Sequence, residues 1–91
     1  MIVREGDHVN VSGALTIENA AAVATAGKQE LHADTVFDLT AVTEVDSTAL
    51  SVLFEWRRAA KERNVQVSFR NLPASMQSLA ALYGVADLVA P

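Results

Sequence analysis

The feature that most limits what this chain can become is the run from Ser47 to Arg63, STALSVLFEWRRAAKER. Ala49, Val52, Leu53, Trp56, Ala59 and Ala60 follow i, i+3, i+4, i+7 spacing. One face of a helix over 47–63 is therefore apolar and has to be buried. Burying Val52, Leu53 and Trp56 contributes roughly 1.5–3 kcal/mol each before entropy is counted. This helix stands between two β-rich stretches, Thr35–Thr40 (TVFDLT) and Val65–Arg70 (VQVSFR). Strand, helix and strand in that order favour parallel neighbours joined by a right-handed crossover.

The rest of the chain supplies what such a unit needs around it. Near the amino end, Ile2, Val3, Val9 and Val11 flank Glu5-Gly6-Asp7, the pattern of a hairpin that Gly13 ends. The alanine-rich stretch Thr16–Leu31 predicts a helix, with Thr16 or Asn19 available to cap it. Gly27 inside it costs roughly 1 kcal/mol against alanine. Val42 and Val45 carry the apolar signal beyond Thr40, and Asn64 is the predicted stop of the 47–63 helix. Pro73 suits the first turn of a last helix. Met76, Leu79, Ala80 and Tyr83 would form its buried face, with Gly84 ending it and Val85, Leu88 and Val89 closing over the core. The order β-β-α-β-α-β-α predicts an α/β fold in a single domain, 1–91. Its sheet is four-stranded and mostly parallel, with an N-terminal antiparallel strand and helices packed on it. A chain of 91 residues, 51% hydrophobic, can build one such core and has no room for a second domain.

Charge and composition then remove several functions. A net charge of −4 is a poor match for nucleic acid, whose phosphates need a basic surface. It suits anionic lipid no better. Without cysteine there are no disulfides, thiolate zinc sites or thiol nucleophiles. No leader-like segment and no run of eighteen apolar residues occur, so the expected location is cytoplasmic, with any membrane link made through a partner. Asp34, Asp38, Glu44 and Asp46 are scattered, and no calcium loop or phosphate-binding glycine pattern is present. Neither a metal nor a cofactor is expected. His8 and His32 stand in no motif with a hydroxyl, and no nucleophile-elbow glycines surround Ser47, so no catalytic residues are assigned.

What remains is Asp46-Ser47-Thr48, at the mouth of the 47–63 helix. An Asp or Ser there satisfies orphan amides and is worth about 1 kcal/mol. Three polar groups in a row between apolar Val45 and Ala49 exceed what a cap requires. A helix amino terminus accepts negative charge, so phosphorylation of Ser47 or Thr48 would change what docks without unfolding the domain. Capping and docking both stay open on the residues alone. On the helical wheel, Leu50, Phe54, Arg57 and Lys61 share a flank about 100° from the buried face. An outward aromatic with arginine nearby is the chemistry of a protein–protein contact; Phe54 packed under a neighbouring element is the alternative.

Two motifs carry a resemblance: Val36-Phe37-Asp38-Leu39-Thr40, then Val45-Asp46-Ser47-Thr48-Ala49-Leu50. With Gly13-Ala14-Leu15-Thr16 and the closing stretch Met76 to Val85, their order resembles that of the STAS domain over nearly the whole chain. The resemblance implies a non-enzymatic docking module. In anti-sigma factor antagonists of this family the phosphorylated hydroxyl lies two residues after the aspartate, which is Thr48 here. Ala49 stands where those proteins commonly carry glycine. Within the family the chain looks most like the MlaB-like branch, small STAS subunits of a bacterial phospholipid-trafficking ABC transporter. That likeness implies a partner, the transporter's cytoplasmic ATPase and through it the membrane permease, without direct membrane insertion. The docking surface would hold Asp46, Ser47, Thr48, Leu50, Phe54, Arg57 and Lys61. The alternative is an anti-sigma antagonist whose partner is an anti-sigma factor with serine kinase activity.

Overall fold

The computed structural model describes residues 1–89, so the last two positions of the expected 1–91 domain lie outside it. Strands β1 (Ile2–Glu5) and β2 (His8–Leu15) form the expected hairpin, with Glu5 opposite His8. Gly6 takes a φ of 66° in the two-residue turn, a conformation that costs glycine nothing. β3 (Thr35–Val45) lies parallel to β2, and β4 (Val67–Arg70) parallel to β3, giving the order β1-β2-β3-β4. The helices are α1 (Ala20–Lys28), α2 (Thr48–Glu62), α3 (Ala74–Leu82) and the short α4 (Ala86–Val89).

Both crossovers step the same way along the sheet, and right-handedness then puts α1 and α2 on the same face. Val9, Val11, Leu15, Phe37, Leu39 and Phe69 are buried beneath them. The alternate residues His8, Asn10, Ser12, Asp38 and Arg70 fall on the other, polar face. Trp56 is the centre of the core: its ring stacks on Phe37 with centroids 4.1 Å apart, and Phe37 meets Phe69 at 6.0 Å. The buried indole N–H donates to the Ala24 carbonyl at 3.0 Å, so its one polar atom is satisfied.

Gly27 changes meaning in this setting. A Cβ built there would lie 2.3 Å from the Trp56 ring, so the residue that weakens helix propensity is what lets α1 sit on the indole. α1 is also shorter than expected. It begins at Ala20, and neither proposed cap side chain serves an α1 amide. Asn19 turns back instead, accepting from the Thr16 N–H at 2.9 Å and donating to the Ala14 carbonyl at 2.6 Å.

Two further boundaries differ from expectation. β3 runs on through Val45, with irregular register against β2 between Asn10 and Ser12 and between Gly13 and Ala14. β4 starts at Val67 because Val65 is used to close α2: its N–H reaches the Ala60 carbonyl while Asn64 adopts a φ of 57°. The same closure ends α3, where Gly84 has a φ of 71° and the Val85 N–H donates to Ala80. Tyr83 was expected in the core but is 58% exposed, because it is the C-cap residue, beyond the last turn of α3. Leu88 is exposed as well, on the outer side of α4, whereas Val89 is buried.

Candidate docking site

The site is organised by Asp46, the first of the two residues between the end of β3 and α2. One carboxylate oxygen accepts the Thr48 N–H at 2.9 Å and also the Thr48 hydroxyl; the other accepts the Ile17 N–H at 3.0 Å. Its own carbonyl takes the Ala49 N–H at 3.0 Å. Asp46 therefore does the capping. Ser47 already has helical angles, φ −64° and ψ −20°, and its side chain makes no cap bond. Of the Asp and Ser that could each have capped the helix, the structure uses the charged acceptor one residue before Ser47. The Thr48 hydroxyl bond, then the Ile17 and Thr48 amides, hold the Asp46 carboxyl below its ordinary value of 3.8. The helix dipole favours the same charge state.

With Asp46 occupied, the Ser47 hydroxyl is exposed and has no hydrogen-bond partner among the described residues, whereas the half-buried Thr48 hydroxyl is committed to Asp46. Along α2 these two residues open onto a groove of about 320 Å³ lined by Leu50, Ser51 and Phe54 and walled by Tyr83 and Val85. Leu50 does not face outward as expected. It is 4% exposed and forms the floor, while half-buried Phe54 supplies the accessible apolar surface. Ser51, Tyr83 and Val85 were not foreseen as site residues. Ser51 was findable, one turn after Ser47. Tyr83 was not, because the periodicity of α3 had assigned it to the core.

Phe54 also borders a second groove, of about 490 Å³, with Arg57, Arg58, Lys61 and Val65 to Val67 around it. Arg57, Arg58 and Lys61 are exposed, and none is in an ion pair among the described residues. Phe54 thus borders both grooves, which lie along α2, a helix of 15 residues spanning about 22 Å. On the other side of Asp46, the tethered Ile17 is 74% exposed. The structure thus places Ser47, Thr48 and Phe54 around the first groove, with Leu50 beneath, and Phe54, Arg57 and Lys61 around the second, whereas Asp46 lines a separate cleft with Ile17 and Glu18.

The histidines lie elsewhere. Leu15 pairs with Val45 beside the site, and His8 is seven residues back along β2, roughly 20 Å away. His32 precedes the far end of β3. Among the described residues, no three potential metal-ligating side chains gather. Apolar slot, hydroxyl rim and cationic end are the chemistry of a contact surface, and among the described residues no histidine stands near the hydroxyls.

The family profile described as "Mlab, STAS domain" matches residues 2–90. The fold is similar to that of "the Anti-Sigma Factor Antagonist SpoIIAA in its Unphosphorylated Form", with a TM-score of 0.76 at 7% identity, covering 98% of this chain and 84% of that one. It is also similar to two crystal structures of Mglu, with TM-scores of 0.63 and 0.61 at 23% and 19% identity. These cover 81% and 79% of this chain but only 20% and 22% of the Mglu chains. At such identities the likeness concerns the fold alone. No curated protein matches the sequence.

Proposed function

We propose a function from one premise: this chain belongs to the STAS domain family described as Mlab. Domains of this kind work through contact with other proteins. In our reading the chain is a non-enzymatic accessory subunit that docks on the cytoplasmic ATPase of a phospholipid-transport ABC transporter and supports its assembly and activity. It would be cytoplasmic and reach the membrane only through that partner; among the described residues no helix is long and apolar enough to cross one.

The observation that carries the docking reading is the groove beside α2, which Phe54 and Tyr83 both line. An exposed tyrosine, and a partly accessible phenylalanine with arginines on its other side, make a contact hot spot. Ser47, Thr48 and Ser51 would hydrogen-bond the partner at the positive end of the helix, and Arg57 and Lys61 would steer acidic groups on it. The test is purification of the tagged chain from its host in mild detergent, with the retained proteins identified by mass spectrometry. We expect an ABC ATPase and its permease, both lost with Phe54→Asp. Retention of neither, or retention unaffected by that change, would overturn the reading.

The fold likeness to an anti-sigma factor antagonist supports a second reading, a partner switch set by phosphorylation. A phosphate on Thr48 would face the Asp46 carboxylate and repel it, whereas Ser47 is free to accept one. Intact-mass measurement of the chain from its host separates the two. A phosphate that comes and goes, with a serine kinase-type protein retained in place of the ATPase, selects the switch.

A further inference from the structure

The chain carries seven Lys and Arg residues against eleven Asp and Glu, and it uses them unevenly. Arg4 pairs with Glu30 at 2.9 Å and Lys28 with Glu55 at 2.8 Å. Arg63 donates to the Lys28 carbonyl, and Arg70 lies 3.4 Å from the His8 ring nitrogen. Arg57, Arg58 and Lys61 are left, exposed and with no hydrogen bond or ion pair from their side chains among the described residues.

Their spacing places all three on one stripe. Phe54, Arg57, Arg58 and Lys61 stand at i, i+3, i+4 and i+7 on α2, neighbours along a single face. That face borders the groove of about 490 Å³, which Val65 to Val67 also line. Phe54, Val65 and Val67 are half-buried, so apolar surface lies among the cations. Like charges three and four residues apart repel one another on a helix. No carboxylate of α2 relieves them: Glu55 is held by Lys28, and Glu62, one turn after Arg58, is in no ion pair among the described residues.

We propose that this groove takes an acidic segment of a partner protein, a stretch with one large apolar side chain flanked by Asp or Glu. The apolar side chain sits against Phe54, Val65 and Val67, and its flanking carboxylates meet Arg57, Arg58 and Lys61. An anionic bilayer fits less well. The chain as a whole stands at −4, which such a surface repels, and cations set around a hollow suit an inserted side chain better than a flat layer of headgroups. The proposal deepens the docking reading by naming the chemistry of the partner segment, and rests on it only in taking this chain to bind proteins. One small groove rimmed by exposed charges supports a Kd on the order of 0.1 mM.

The test is selection of a random-peptide phage library on the purified chain, then amide NMR titration with a synthetic copy of the selected peptide. We expect the selected sequences to share an apolar residue between acidic ones, with shifts centred on Phe54, Lys61 and Val67. The triple change Arg57→Gln, Arg58→Gln and Lys61→Gln keeps the side-chain stems, so melting should stay unchanged while binding weakens roughly tenfold. Arg70→Gln, on the opposite face of the sheet, should not weaken it. Selection of neutral or basic sequences, or of none, would overturn the proposal. So would binding that the triple change leaves intact, shifts centred on Tyr83, or tighter binding to phosphatidylglycerol vesicles than to the peptide. Tyr83 lines the first groove and not the second, so Tyr83→Ala should bind the peptide as the parent does. The peptide result and the ATPase reading can therefore fail separately.

Discussion

Helix α2 is held very differently on its two sides. Toward α1 the contact is closed: the Trp56 ring lies on Gly27, the indole N–H is bonded to Ala24, and Lys28 pairs with Glu55 at 2.8 Å. Arg63 adds a bond to the Lys28 carbonyl. Toward α3 the contact is open, with Phe54 and Tyr83 bordering a slot instead of packing shut. One side fixes the helix and its amino terminus in space, and the other presents a surface whose shape is thereby constant. A rigid scaffold beside an incomplete interface is what a docking module needs.

The closed side should break most visibly. Trp56→Ala should cost about 3–5 kcal/mol of unfolding free energy, measured by urea denaturation followed by circular dichroism. Gly27→Ala should also destabilise, by about 1–3 kcal/mol, although alanine is the better helix former. A stabilised Gly27→Ala protein would show that α1 can slide off the indole and that this side is less closed than described. On the open side the effects should separate. Tyr83→Ala should leave stability within about 0.5 kcal/mol and yet reduce retention of the partner. If the partner is retained undiminished, the groove is not the interface.

At the amino terminus of the helix stands Asp46, and its test is pH. Its folded pKa lies below 3.8, so the stability it contributes is fully present above the unfolded value and is lost as pH falls through the lowered one. Asp46→Asn should therefore be less stable than the parent at pH 7, with the gap closing in acid; urea midpoints across pH 2–7 would show it. Asp38, lowered by its bonds to the Thr40 hydroxyl and amide, keeps its own acid dependence in both proteins. Ser47→Ala is the smallest change. Its hydroxyl has no partner to lose, so the melting temperature should stay put while docking weakens.

Much of this was readable from residue order, because the information is local. The 3.6-residue periodicity of Ala49, Val52, Leu53 and Trp56 defines the buried face of α2 whatever it packs against. The alternation in VQVSFR locates a strand, and the positive-φ stops at Asn64 and Gly84 answer to single residues. The Asp46-Ser47-Thr48 stretch marked the site, and the family followed from the order of such motifs. Only the assembled fold could assign the work within that stretch. Which of three polar groups caps α2 depends on where Ile17 arrives from another part of the chain, and that gave the role to Asp46. Whether Leu50 and Tyr83 face solvent depends on how far α3 reaches along α2, which no periodicity encodes. Gly27 is the sharpest case: its cost is a local propensity, while its purpose is a contact with an indole 29 positions away. Local sequence dictates the elements and their apolar faces; what each face meets is settled by long-range packing, where a single side chain's volume decides.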